Sequence, residues 1–140
     1  MNRKGVLLCL LVCVCFGWIG YRLAVAALNE AAVTATQSCL GSVAAAIEES
    51  GGKDFIEVTQ SDKWQTVSRA QMKQFLQNVG GSLDCRKCAE GEVCDAWGRP
   101  LVITWKRADD GVWIKVSSAG RDGISASKDD VFVEVFLRKR

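Results

Sequence analysis

Four of the seven cysteines in the chain are placed so that their side chains could react with one another or bind a metal: Cys39, Cys85, Cys88 and Cys94. Cys85, Cys88 and Cys94 lie within ten residues, in a polar segment that we expect to form a short loop. In an oxidising compartment such cysteines form disulfides, and we expect a bond inside this loop, either Cys85–Cys94 or Cys88–Cys94. A zinc site with four thiolates is an alternative that requires Cys39 to reach the loop. A thioredoxin-type redox site at Cys85–Cys88 is a third, although no βαβ pattern surrounds it.

A second group of polar side chains offers oxygen atoms near the C-terminus: Ser118, Asp122, Asp129 and Asp130. Calcium binds sets of carboxylate and carbonyl oxygens of this kind. The spacing differs from that of an EF-hand, because no terminal Glu follows at the required distance. The alternative is a turn at Asp122-Gly123, with Asp129 capping the start of the next strand. The sequence therefore predicts either a calcium site or a hydrogen-bonded loop here.

Composition restricts the other possible functions. The chain of 140 residues contains no histidine, so it cannot build a Ser-His-Asp or Cys-His catalytic centre. Its 18 basic and 16 acidic residues give a net charge of +2, which does not indicate a nucleic-acid-binding protein. We expect neither an enzyme nor a protein that binds nucleic acid or a small-molecule substrate.

The N-terminal region is basic and then apolar. Arg3 and Lys4 precede an apolar run, and a helix over residues 6–28 would extend about 34 Å, enough to cross a bilayer. Residues 1–28 therefore form a predicted transmembrane segment with a cytoplasmic N-terminus, with Trp18, Tyr21 and Arg22 at the far interface. Alternatively, the run is a secretory signal cleaved after Ala24-Val25-Ala26, which would release a soluble protein.

Residues 29–140 are predicted to form one globular domain of the α+β class. A helix over 29–50 carries an apolar stripe at helical spacing, namely Leu28, Ala32, Ala35, Cys39, Val43 and Ile47. A second helix over 68–79 begins with a capping box of Ser68 and Gln71. Phe55–Val58 has the composition of a short strand. Residues 101–137 are predicted to form an antiparallel sheet, with strands Leu101–Arg107, Gly111–Ser118 and Val131–Leu137 and an Asp-Gly hairpin between the first two.

The order of motifs in the last third of the chain resembles the C-terminal module of type II secretion pseudopilins, most closely the major pseudopilin, and of related type IV pilin-like proteins. The residues that carry the resemblance are Asp95, Trp97, Gly98, Pro100, Ser118, Gly120, Asp122, Gly123, Asp129, Asp130 and Val131. The resemblance implies a long N-terminal helix packed on a small antiparallel sheet. It also implies calcium held by Asp122 with one or both of Asp129 and Asp130.

The same resemblance implies a membrane-anchored subunit of a type II secretion or related filament machine. Its expected partners are the bacterial inner membrane and other pilin-like subunits, with the globular domain periplasmic or extracellular. Lys4-Gly5 matches the end of a prepilin leader, which makes Gly5-Val6 the candidate processing site. Val6 replaces the usual Phe, and Leu10 stands where the family carries Glu. A secreted or surface binding module with a pilin-like domain is the alternative function.

Overall fold

The computed structural model describes residues 3–50, 62–79, 83, 85–88 and 92–138. One helix, α1, runs over Arg3–Glu49, which confirms the continuous N-terminal helix. Ser50 ends it, with its N–H 3.0 Å from the Ala46 carbonyl oxygen and its hydroxyl 2.9 Å from the Ile47 carbonyl oxygen. Internal contacts divide the chain into two units, Met1–Ala32 and Val33–Arg140. We refer to the second unit as the head.

Within the head, α1 buries one stripe of side chains. The buried residues are Thr36, Cys39, Leu40, Val43, Ala44 and Ile47, at the three- and four-residue steps of one helix face. Cys39, Val43 and Ile47 of the predicted stripe are confirmed. Leu28 is 71% exposed and Ala35 is also exposed, so the predicted stripe was wrong at these two positions.

A second helix, α2, spans Arg69–Val79 and begins with the predicted capping box. The Gln71 N–H donates to the Ser68 hydroxyl, at 3.3 Å, and the Ser68 N–H donates to the Gln71 side-chain oxygen, at 3.1 Å. These two bonds satisfy backbone donors that the first helical turn leaves unpaired. Phe75 is fully buried on the face that this helix turns toward the core.

Six strands complete the described structure: β1 (Gln65–Thr66), β2 (Arg86–Lys87), β3 (Val93–Cys94), β4 (Val102–Ala108), β5 (Gly111–Ser118) and β6 (Val131–Arg138). A four-stranded antiparallel sheet has the order β1-β4-β5-β6, and β2 and β3 form a separate antiparallel pair. The predicted hairpin is confirmed, because Ala108 pairs with Gly111 across Asp109-Asp110. Propensity did not reveal the two-residue strands β1, β2 and β3. The predicted strand Phe55–Val58 lies outside the described residues.

The core of the head lies between the helices and one face of the sheet. Alternate sheet residues point inward, including Ile103 and Trp105 of β4 and Ile114 and Val116 of β5. They pack in one cluster with Leu40 and Ile47 of α1 and with Phe75 of α2. The structure is therefore α+β, with a long N-terminal helix packed on a small antiparallel sheet, as predicted.

Candidate functional site

The four cysteines of the head form two disulfides, Cys39–Cys85 and Cys88–Cys94. The second is one of the two pairings expected from the sequence. Cys85 bonds to Cys39 of α1 instead of Cys94, because the buried stripe of α1 brings their Cα atoms to 4.8 Å. The pairing of β2 with β3 brings the Cα atoms of Cys88 and Cys94 to 5.7 Å.

These pairings leave no thiolate for the alternative chemistries considered for Cys39, Cys85, Cys88 and Cys94. The zinc site with four thiolates is therefore wrong for the disulfide-bonded head. A redox pair at Cys85-x-x-Cys88 is also wrong, because the two cysteines belong to different disulfides. Both bonds fix the segment that leads into Asp95.

A turn of six residues, Asp95–Pro100, follows the second disulfide, and we call it the Asp95 turn. The Asp95 carboxylate is fully buried, and its Oδ1 accepts the backbone N–H groups of Trp97, at 2.9 Å, and of Arg99, at 2.8 Å. Gly98 has a φ of 80°, a conformation that glycine adopts without steric cost. The buried Asp95 carboxylate therefore stabilises the turn by accepting hydrogen bonds from the backbone of the turn itself.

Two further contacts join the Asp95 turn to the rest of the head. The hydroxyl of Thr36, a buried residue of α1, accepts the Ala96 N–H at 3.1 Å. The Ser118 hydroxyl, at the end of β5, donates to Asp95 Oδ2 at 2.6 Å and accepts the Gly120 N–H at 3.1 Å. Ser118, predicted as a metal ligand, is thus a buried partner of Asp95. Sequence reasoning missed Thr36, since a Thr within an apolar helical stripe gives no signal of its distant partner.

The loop Ala119–Asp130, which we call the acidic loop, connects β5 to β6. Its carbonyl groups at Gly120 and Arg121 accept N–H groups of the Arg99 guanidinium, the second at 2.6 Å. Gly123 has a φ of 73°, and an added Cβ there would lie 2.8 Å from Arg99 Cζ. The Arg99 side chain therefore packs closely against the loop, and a Cβ at this position would require the guanidinium to shift.

The structure brings together Asp122, Asp129 and Asp130 around the Ser127 hydroxyl. Their carboxylates accept backbone N–H groups within the loop, Ile124 to Asp122 at 2.8 Å, Asp122 to Asp129 at 3.0 Å and Ala126 to Asp130 at 2.6 Å. The Ser127 hydroxyl lies against all three carboxylates, closest to Asp129. The bond from the Ile124 N–H to Asp122 is the kind expected of a turn at Asp122-Gly123, whereas Asp129 and Asp130 accept N–H groups from earlier residues of the loop.

The hydrogen-bond donors around Asp129 change the pKa of its carboxyl group. The hydrogen bond from Ser127, followed by the one from the Asp122 backbone, lowers the pKa of Asp129 from its usual 3.8 to about 2. Hydrogen bonds to the charged form of a carboxyl favour that form. Asp129 is therefore a carboxylate at any physiological pH.

Whether calcium fits this loop depends on which oxygen atoms remain available. Each of the three carboxylates has an oxygen engaged by a backbone N–H, and the two carbonyls at the start of the loop are engaged by Arg99. Across the described residues no group of three or more Asp, Glu, Cys or His side chains is arranged to hold a metal. Calcium therefore stays a prediction for this loop.

The first unit has a different surface. Its large apolar side chains are exposed: Val12, Val14, Phe16, Trp18, Ile19, Tyr21, Leu23 and Leu28. In the described chain, α1 is long and apolar enough to span a membrane within Val12–Glu49, and none of the residues in its apolar window is buried. The Arg22 guanidinium lies 5.0 Å from the centroid of the Trp18 ring, which is a cation–π contact. Gly5 and Val6 lie within α1, and the surroundings of the Val6 side chain are outside what the structure describes.

The head also has an open groove of about 460 Å³ between α2 and β4. Its rim carries the ion pair of Arg69 and Glu92, with Nε and Oε1 3.2 Å apart, and its floor is formed by apolar side chains of β3 and β4.

Comparison with known proteins adds no relative: no protein-family model, curated protein or solved structure matches this chain significantly. The fold and site therefore define an α+β protein that is braced by two disulfides and carries a long N-terminal helix with an apolar first part. The pseudopilin resemblance stays a proposal, argued below.

Proposed function

We propose that this protein is a membrane-anchored, pseudopilin-like subunit of a type II secretion or related filament machine, with a structural role in protein transport. The observation that carries the proposal is the contrast along α1. Its first part exposes eight large apolar side chains, whereas its later part supplies the core of the head. Exposed apolar surface of this extent needs lipid or other helices to cover it.

The position of charged and aromatic residues supports a single-pass anchor. Arg3 and Lys4 precede the apolar run, which favours a cytoplasmic N-terminus under the positive-inside rule. Trp18, Tyr21 and Arg22 follow it, and such side chains are typical of a membrane interface. This arrangement would put the head, with its two disulfides, on the oxidising side of the inner membrane.

Helix–helix packing is the proposed mechanism of assembly, and α1 has a suitable face. Small exposed residues recur at alternating four- and three-residue steps, namely Cys13, Gly17, Gly20, Ala24, Ala27 and Ala31. Small residues at such spacing let helix backbones approach closely within a bilayer. An added Cβ at Gly17 or Gly20 would meet nothing within 4 Å, so neighbouring helices have room to approach there.

Native cysteines provide the test of this packing. Cys13 lies on the small-residue face, and Cys15 lies on the other side of the helix, because each residue turns it by about 100°. Two variants keep one of them: Cys9→Ser/Cys15→Ser and Cys9→Ser/Cys13→Ser. We expect membranes treated with a thiol oxidant to give a dimer through Cys13 and little through Cys15. Equal yields, or none through Cys13, would contradict packing along this face.

The secreted binding module remains the second candidate, and one observation favours it. In the described part of α1 the first buried residue is Thr36. Cleavage after Ala26 would therefore remove no core residue of the head. The two candidates make opposite predictions about where the chain is found, membrane or medium, and about its mature N-terminus.

A further inference from the structure

The acidic loop has the composition of a cation site, and the structure shows a cation already in contact with it. The Arg99 guanidinium reaches from the Asp95 turn and donates to the carbonyl oxygens of Gly120 and Arg121. Backbone carbonyls of this kind are ligands that a calcium ion takes in protein loops. A planar guanidinium with two N–H groups in a fork can hold two of them in fixed geometry.

The glycines of the loop show that this contact is built into the sequence. An added Cβ at Gly123 would lie 2.8 Å from Arg99 Cζ, and one at Gly120 would collide with the backbone carbonyl of Asp129. Both glycines also have positive φ, at 73° and 59°. Gly123 therefore lies against the Arg99 side chain, and Gly120 lies against the backbone at the other end of the loop.

The carboxylates of the loop also have donors of their own. Backbone N–H groups of Asp122, Ile124 and Ala126 and the hydroxyl of Ser127 bond to them. The carbonyls of Gly120 and Arg121 and at least one oxygen of each carboxylate therefore already have donors from the protein, so the loop is hydrogen-bonded without a metal ion.

We infer that Arg99 is the internal cation of the acidic loop and that the loop folds without a divalent metal. The Asp95 turn fixes the position of Arg99, since the Arg99 N–H is itself bonded to Asp95 Oδ1 at 2.8 Å. The buried carboxylate, the guanidinium and the loop carbonyls form one chain of contacts from the core to the surface. Within this series of contacts, Arg99 holds the acidic loop in position.

Hydrogen exchange of the full-length protein in detergent micelles tests the inference. Exchange is followed in peptides that cover residues 119–130, in excess calcium and in excess EGTA. The variants are Arg99→Gln, which removes the charge, and Arg99→Lys, which keeps it without the fork. Arg121→Ala is the matched control, because that arginine side chain is exposed in the same loop. Protection of the core strand β5 reports whether each variant is folded.

We expect wild-type loop exchange to be the same in calcium and in EGTA. Arg99→Gln should accelerate it by at least about tenfold in both, since a charge-assisted hydrogen bond corresponds to a factor of this size. Arg99→Lys should be intermediate, and Arg121→Ala should match wild type. Calcium-dependent slowing of about tenfold or more in the wild-type loop would overturn the inference. Unchanged exchange in Arg99→Gln would overturn it as well. If Arg99→Gln does not fold, the comparison of wild-type loop exchange in calcium and in EGTA still tests whether the loop folds without the metal.

Discussion

The Ser118 hydroxyl donates to Asp95 Oδ2 at 2.6 Å, and both side chains are buried. This bond joins the end of β5 to the Asp95 turn and is the point where the sheet, the turn and the acidic loop meet. Asp95 Oδ1 is saturated by two backbone N–H groups, so Ser118 is the donor on the other oxygen. A buried carboxylate oxygen without a donor is costly, which makes this pair sensitive to substitution.

Ser118→Ala is expected to lower the free energy of unfolding of the head by about 1.5–3 kcal/mol, because the buried carboxylate loses a charge-assisted bond. Ser117→Ala is the matched control, since the exposed Ser117 hydroxyl makes only a 3.3 Å bond to the Val102 carbonyl. Its expected effect is within about 0.5 kcal/mol. Urea denaturation in detergent measures both. Equal losses of unfolding free energy in the two variants would show that the Asp95–Ser118 hydrogen bond contributes no more to stability than the Ser117 bond does.

Gly123→Ala should cost more stability than Gly98→Ala, although both positions have positive φ, 73° and 80°. Each substitution carries a backbone cost of about 1–2 kcal/mol for a left-handed conformation. An added Cβ meets nothing within 4 Å at Gly98 but meets the Arg99 guanidinium at Gly123. The difference between the two unfolding free energies therefore isolates the contact with Arg99. If Gly98→Ala is as damaging as Gly123→Ala, the close packing against Arg99 is refuted.

The two disulfides should contribute unequally. They close chain segments of 46 and 6 residues, and the chain-entropy relation gives about 4 kcal/mol for Cys39–Cys85 and about 2 kcal/mol for Cys88–Cys94. The paired variants Cys39→Ala/Cys85→Ala and Cys88→Ala/Cys94→Ala are compared with wild type by urea denaturation. A larger loss in the second variant would contradict the view that the long-range bond is the main brace between α1 and the rest of the head.

The lowered pKa of Asp129 gives a pH dependence with a defined sign. A carboxyl whose pKa falls on folding stabilises the folded loop above its unfolded pKa, and this stabilisation is lost as pH falls from about 3.8 to about 2. Ser127→Ala removes the largest cause, so it should raise the pKa of Asp129 toward its usual value. NMR titration of the Asp129 carboxyl carbon measures this pKa in the wild type and in Ser127→Ala. A pKa near 3.8 in the wild type would contradict the role of Ser127.

Local patterns predicted the regular elements of this chain well. The predicted strands Leu101–Arg107, Gly111–Ser118 and Val131–Leu137 match β4, β5 and β6, and the Asp-Gly signal located the hairpin to β5. The capping box of Ser68 and Gln71 marked the start of α2. These features depend on neighbours in sequence, which is why they can be read without a structure.

Contacts between distant residues could not be predicted in this way. The bond of Cys85 to Cys39, 46 residues apart, depends on how α1 packs in the head, and cysteine spacing alone favoured a bond within the loop. The pairing of Thr36 with the Asp95 turn and the reach of Arg99 into the acidic loop are likewise tertiary. The sequence grouped the aspartates of the loop correctly but could not show that backbone N–H groups already engage them.

The mass of the mature N-terminal peptide, isolated from membrane and medium fractions of the native host, tests the proposed function most directly. If the protein is a pseudopilin-like subunit, we expect a membrane-bound chain that begins at Val6, after prepilin-type cleavage following Gly5. A soluble chain that begins at Ala27 would contradict it, because the exposed apolar part of α1 would be removed and a secreted binding module would remain.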